Sequence, residues 1–163
     1  MKRLILVRHA KSGWKNTRMA DFNRPLTKKG KADALTMGKR LWKNKLKPDL
    51  IISSPAKRAL ATAKMMAREI KYPLGGILME PSIYNSDVPK LLKAVRNVNN
   101  AVQKLMIVGH NPEFSEFCNF LIPTKIEDYP TSSVVIIDLN VKGWKGVSSR
   151  KGTLVSFDHP KRI

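Results

Sequence analysis

A chain of 163 residues with 42% hydrophobic content can bury one core without metal or disulfide, and none of its apolar runs approaches the roughly 18 residues that mark a membrane span. Its single cysteine, Cys118, excludes an internal disulfide and a cysteine-built zinc site. Thirty-one Lys and Arg against twelve Asp and Glu give a net charge of +19, which favours anionic partners; the basic residues are scattered, however, and the three Trp do not interleave with them as in a nucleic-acid stacking platform.

The N-terminal Met-Lys-Arg precedes the apolar run Leu4-Ile5-Leu6-Val7. Four residues are too few for the apolar region of a secretory signal, so the expected location is the cytoplasm. The run predicts a buried strand that ends at Arg8 and His9. In open α/β sheets, ligands gather at the carboxyl ends of the strands. A fixed cation and an imidazole just past a strand end are therefore candidate site residues. Residues 10–26 read as a polar, irregular stretch, and Thr27 as a helix N-cap. The helix that follows is expected to bury Ala32, Leu35, Met37, Leu41 and Trp42, and Pro48 stops it.

A second apolar run, Leu50-Ile51-Ile52, breaks at Ser54-Pro55. Serine as cap and proline in first helical position predict a helix start there, with Arg58 in its first turn. Leu60, Ala61, Ala63, Met65, Met66 and Ile70 are expected on its core face, and Tyr72-Pro73 ends it. Residues 74–88 read as a loop containing the short apolar piece Ile77-Leu78-Met79, which leads to Glu80. A helix over residues 89–98 presents Leu91, Leu92 and Val95. A third strand over residues 104–109 breaks at His110-Asn111-Pro112, and a helix runs on to Phe120. Within it Cys118 reads as a buried, inert thiol. Residues 134–139 and 153–157 predict two strands joined as a hairpin.

Strands alternating with helices imply βαβ units. The expected fold is a single domain over residues 1–163, a three-layer α/β/α sandwich with a mainly parallel sheet and an antiparallel closing pair. If the first three strands are parallel neighbours, Arg8, His9, Arg58 and His110 meet at one edge. Two guanidiniums, two imidazoles and helix N-termini suit a phosphoryl group, because Arg meets its oxygens bidentately and keeps its charge. No His-x-x-x-His, cysteine set or carboxylate cluster accompanies them, so no metal and no cofactor is expected. A covalent phosphohistidine fits, since imidazole is a competent nucleophile when its second nitrogen is oriented.

Leu6-Val7-Arg8-His9-Ala10 resembles the Arg-His-Gly signature of the histidine phosphatase superfamily, whose fold is phosphoglycerate-mutase-like. Ser53-Ser54-Pro55-Ala56-Lys57-Arg58-Ala59 with Thr62-Ala63, and Val108-Gly109-His110-Asn111, resemble its second and third blocks. Arg24-Pro25-Leu26-Thr27 with Gly30, and Thr131-Ser132-Ser133, are similar to the small SixA-type phosphohistidine phosphatases. Ala10 stands where the signature has glycine, and Lys11-Ser12-Gly13-Trp14 lacks the acidic residue of mutase-type members. The resemblance implies that His9 attacks phosphorus, Arg8 and Arg58 bind its oxygens, and His110 adds a hydrogen bond or charge. Ser12 and Arg24 are rim candidates for substrate binding. Glu80 resembles the acid of ester-cleaving members, which a phosphoimidazole leaving group would not need. The expected activity is metal-independent hydrolysis of phosphohistidine on a protein by a monomer. The alternative is a small-molecule phosphomonoester phosphatase with Glu80 as acid. A basic nucleic-acid-binding protein is the distant third, with no recognition motif to support it.

Overall fold

The computed structural model describes residues 1–162. Six strands form one sheet: β1 (Lys2–Arg8), β2 (Leu50–Ser53), β3 (Ile77–Met79), β4 (Lys104–Gly109), β5 (Val134–Leu139) and β6 (Gly152–Asp158). Their order is β3-β2-β4-β1-β5-β6. The first four are parallel, and β5 and β6 run antiparallel to their neighbours as the predicted hairpin. Among the described residues four α-helices complete the α/β fold: α1 (Lys28–Lys43), α2 (Lys57–Glu69), α3 (Val88–Arg96) and α4 (Glu113–Leu121).

The pleat divides each central strand between two cores. Leu4, Leu6, Leu105 and Ile107 pack with Leu91, Val95, Phe114 and Phe117 of α3 and α4. Ile5, Val7, Met106 and Val108 face the other way, onto Met37 and Leu41 of α1 and Ala63 and Met66 of α2. Each fully buried aliphatic side chain contributes about 1.5–3 kcal/mol, so both cores resist a register slip that would turn these residues outward.

That register places the site. Arg8 lies opposite Gly109, and Ser53 opposite Val108. Beyond the strand ends, the His9 N–H donates to the Gly109 carbonyl at 2.9 Å and the Ser54 N–H to the Val108 carbonyl at 2.9 Å. His9, Ser54 and His110 therefore leave the sheet side by side. The chain past His9 is clamped by α1: a Cβ on Gly30 would sit 2.1 Å from the Lys11 carbonyl oxygen. Only glycine permits that approach.

Several expected details differ. α2 begins at Lys57, not Pro55, and its N-cap Ala56 makes no side-chain capping bond. The Ser54 hydroxyl accepts the Ala56 N–H at 3.2 Å and is shared with His110, so its capping chemistry serves the turn before the helix. α1 buries Gly30, Ala34, Met37, Gly38 and Leu41, while Leu35 and Trp42 are exposed. Trp42 packs instead under the Lys71 ammonium, 4.8 Å from its ring centroid. α2 buries Ala59, Thr62, Ala63, Met66 and Ala67, leaving Leu60, Ala61 and Met65 half-buried. The face is rotated because Arg58 and Thr62 turn inward with it. Ile77–Met79 is not loop but edge strand, paired to β2 with Leu78 and Met79 exposed.

Candidate active site

His9 is almost buried, and its Nδ1 lies 2.8 Å from the Ala10 carbonyl oxygen. A carbonyl only accepts, so Nδ1 carries the hydrogen and Nε2 keeps its lone pair. Thr62 ties this corner to α2. Its hydroxyl accepts the Ala10 N–H at 2.9 Å and donates to the Arg58 carbonyl at 2.8 Å.

The His110 ring stands 5.1 Å from that of His9, tilted by 55°. Its Nε2 is 2.8 Å from the Ser54 hydroxyl, and its buried Nδ1 has no partner among the described residues. The Ser54 oxygen already accepts from Ala56, and donating its own hydrogen to His110 Nε2 satisfies both roles of the hydroxyl. The His110 hydrogen then sits on Nδ1.

Arg8 donates from Nη1 to the Tyr129 carbonyl at 2.8 Å, with Tyr129 itself buried and bonded to the Leu6 carbonyl. Arg58, buried on α2, donates from Nη1 to the Asp21 carbonyl at 2.8 Å and from Nη2 to Asp21 Oδ2 at 3.1 Å. The Nε atoms of both arginines are buried without a partner among the described residues.

These groups set each other's protonation. Burial, then the charges of Arg58, Arg8 and Arg24, hold His9 at about 4 despite the opposing Ala10 carbonyl. Burial, then the neighbouring His9 and Arg58, hold His110 at about 3. Both imidazoles are neutral at pH 7. A neutral His9 with a free Nε2 is the form that can attack phosphorus. Burial lowers Arg8 from its ordinary value, as expected for a charge partly removed from water.

Sequence reasoning missed Asp21. Burial alone would raise its carboxyl, but hydrogen bonds from Tyr84 (2.7 Å) and Arg24 (3.2 Å), and the charge and hydrogen bond of Arg58, hold it at about 2. It is the only acidic residue among residues 10–26, beside four Lys and Arg, and that isolation is the signal a sequence offers. Tyr84 has its ring 5.7 Å from that of His110 and 6.0 Å from the Arg58 guanidinium. Ser54, read only as a cap, orients His110.

Of the other expected site residues, Arg24 joins the group through Asp21, with its guanidinium 4.8 Å from the Trp14 ring centroid. Ser12 is half-buried and bridges to Leu26, pinning the loop beside the site. Glu80 follows β3 and lines a separate cavity of about 210 Å³ with Ser82, Lys90, Lys93, Ala94 and Asn97. It has no hydrogen bond or ion pair to Arg8, His9, Arg58 or His110 among the described residues. Cys118 is buried in α4, and burial pushes its thiol up to about 12, as an inert core thiol requires. The described residues hold no cluster of three or more His, Cys, Asp or Glu placed for a metal ion, and no helix is long and apolar enough to cross a membrane.

A family model for the histidine phosphatase superfamily (branch 1) matches residues 4–77, which span β1, Arg8, His9, α1, β2 and Arg58. A crystal structure from Agrobacterium tumefaciens, described as a phosphohistidine phosphatase SixA, superposes with a TM-score of 0.82 at 27% identity, covering 98% of each chain. A protein histidine phosphatase SixA complexed with tungstate has the same fold, with a TM-score of 0.83, 20% identity and 97% of each chain covered. An uncharacterised chloroplastic protein of Arabidopsis thaliana is 28% identical over 93% of this chain and 72% of its own length. The match to the histidine phosphatase superfamily model falls on the first two strand ends, and the fold shared with the SixA structure extends over nearly the whole chain.

Proposed function

We propose that this chain is a phosphohistidine phosphatase that acts on a phosphorylated protein through a covalent phosphohistidine on His9. The observation that carries the reading is the His9 imidazole itself: Nδ1 is tied to the Ala10 carbonyl, Nε2 is free, and Arg8, Arg58 and His110 surround it. The His9 Nε2 lone pair forms a bond to phosphorus as the phosphorus–nitrogen bond of the substrate breaks, its electron pair returning to the substrate ring. Water then attacks the His9 phosphoryl group, which leaves as inorganic phosphate. Arg8 and Arg58 bind the equatorial oxygens, and the His110 Nδ1–H donates to one of them. Such preorganised donors act on charge that spreads over the transferring group. Ser12 and Arg24 line the rim.

No step needs a metal or other cofactor, since the two guanidiniums supply fixed positive charge. No step needs a dedicated acid either, because a phosphoimidazole protonated on its second nitrogen leaves as a neutral ring. The ester-cleaving alternative calls on Glu80, which faces Lys90 and Lys93 across another cavity. The chain works as one domain over residues 1–163, as a cytoplasmic monomer without a specific nucleic-acid partner.

The test is phosphate release from a phosphohistidine peptide in the presence of a chelator. The wild-type chain is expected to turn over undiminished by the chelator and to trap an acid-labile phosphoryl group on the protein after rapid quenching. His9→Ala is expected to lose both. Full turnover by His9→Ala would sink the mechanism.

A further inference from the structure

The Asp21 carboxylate presents a physical conflict. An anion held 3.1 Å from Arg58 neutralises part of the charge meant for phosphate. It does so in a chain where Lys and Arg outnumber Asp and Glu by 31 to 12. Its three hydrogen bonds keep it ionised and in place. A carboxylate offers about four lone-pair sites. Oδ2 uses two, for Arg58 and the Tyr84 hydroxyl, and Oδ1 uses one, for Arg24. Among the described residues one site on Oδ1 is left over, and the side chain is 45% exposed.

Its surroundings say what could use that site. Rings run outward in series from the nucleophile: His9 to His110 at 5.1 Å, His110 to Tyr84 at 5.7 Å, Tyr84 to the exposed Phe22 at 5.2 Å. Asp21 adjoins Phe22 in the chain and bonds to Tyr84, so the carboxylate lies beside an aromatic wall that begins at the reacting imidazole. A flat, cationic N–H donor suits such a wall, and an alkoxide or phenoxide does not.

We infer that Asp21 determines leaving-group specificity: its free Oδ1 site accepts the ring N–H of a departing phosphoimidazole, favouring phosphohistidine over phosphomonoesters. This rests on the reading of His9 as the attacking group. In the step, the substrate ring carries a proton on the nitrogen that does not bear phosphorus. His9 Nε2 bonds to phosphorus, the substrate phosphorus–nitrogen bond breaks, and its electron pair stays on the substrate ring. The ring leaves neutral, with its proton still hydrogen-bonded to Asp21. The positive charge passes to the His9 ring, whose Nδ1–H donates to Ala10. An ester would instead develop negative charge beside the carboxylate.

The pH dependence separates this role from the simple positioning of Arg58. The groups facing Asp21 are Arg24 on its own loop, Arg58 on α2, Tyr84 from the turn after β3, and His110 past β4. Between about pH 5.5 and 8 Tyr84, raised above its ordinary value, keeps its proton and His110 stays neutral, while a guanidinium is by its chemistry a fixed cation. What changes in that interval is the substrate ring, which titrates near neutrality. Asp21 matters most where the ring would otherwise lose its proton.

The experiment compares kcat/KM for a phosphohistidine peptide and for p-nitrophenyl phosphate, in the wild-type chain, Asp21→Asn and Tyr84→Phe, at pH 5.5 and 8. At pH 8, Asp21→Asn is expected to lower the ratio of the two by about tenfold, the scale of one charge-assisted hydrogen bond. At pH 5.5 the fall is expected to shrink to about twofold or less. Tyr84→Phe keeps the carboxylate and is expected to keep the wild-type ratio at both values. Equal losses on both substrates at both pH values, or a Tyr84→Phe ratio as low as that of Asp21→Asn, would overturn the proposal while leaving the phosphohistidine reading intact. A wild-type chain that cleaves only the ester would overturn both.

Discussion

Two halves of the site are built in different ways. Arg8, His9 and His110 sit at or just past strand ends whose height is fixed by the β1–β4 register and by bonds to Gly109, Val108 and Ser133. Both imidazoles are nearly buried. Asp21, Arg24 and Trp14 belong to the long loop between β1 and α1, and they are half-buried or exposed. Arg58 stands between the halves: its backbone belongs to α2, and its guanidinium is held by the loop. In the proposed mechanism, groups that meet phosphorus within a fraction of an ångström are placed by the sheet, and groups that meet the rest of the substrate are placed by a loop.

The strongest test of this division is removal of a guanidinium. Arg8→Ala and Arg58→Ala should each lower kcat/KM on phosphohistidine peptide by about 10²–10³, the usual cost of losing one preorganised donor to a developing anion. Arg58→Ala should also loosen the loop, seen as faster amide exchange around Asp21. If Arg8→Ala loosened that loop equally, the two halves would be one unit.

Acid should dismantle the halves in sequence. His9 and His110 have folded values of about 4 and about 3, below the ordinary 6.5. Between 6.5 and those values the unfolded chain binds more protons than the folded one, so stability falls as pH drops through that interval and is unaffected above it. Asp21, at about 2 against an ordinary 3.8, stabilises the fold above 3.8 and is lost only below it. Its contribution is small, because the side chain is 45% exposed and screened by water. Thermal melts should decline from pH 6.5 downward, and His110→Gln should flatten that decline. Proton NMR titration of His9 with a midpoint near 6.5 would contradict its burial.

Ser54→Ala reads the support of the strand-borne half. It removes the hydroxyl that fixes His110 Nε2, 2.8 Å away, and leaves a buried imidazole nitrogen without its partner. The expected cost is about tenfold in kcat, from a mispositioned or wrongly protonated ring. KM should move little, and Ser54→Thr should restore part of the loss.

The same division explains what the sequence made legible. Arg8, His9 and His110 were readable because an apolar run that stops at a charged or imidazole residue announces a strand end, and strand ends of a parallel sheet share an edge. Arg58 was readable from its place in a helix first turn, although the helix starts two residues later than the Ser54-Pro55 pair suggested. The inward face of α2 was misread because its alanines mark no side. Asp21 left no periodic trace. Its role comes from chain folding over residues 10–26, where a loop returns a carboxylate to a helix 37 residues away. Glu80, to which the resemblance pointed as an acid, lines a cavity apart from Arg8, His9, Arg58 and His110.

The smallest expected effect belongs to Arg24, and it is the sharpest probe of how far the loop takes part in the chemistry. Its contacts are a 3.2 Å ion pair with a carboxylate that is 45% exposed, and a guanidinium stacked 4.8 Å from the exposed Trp14. An exposed ion pair contributes about 0–1 kcal/mol, and an exposed cation–π contact about 0.5–1 kcal/mol. At the middle of those ranges, Arg24→Ala should lower kcat/KM by less than about tenfold. The loss should fall mainly in KM, and it should fade as salt screens the rim. A loss in kcat as large as that of Arg58→Ala, and insensitive to salt, would place Arg24 against the transferring phosphoryl group and make the loop an equal partner of the sheet.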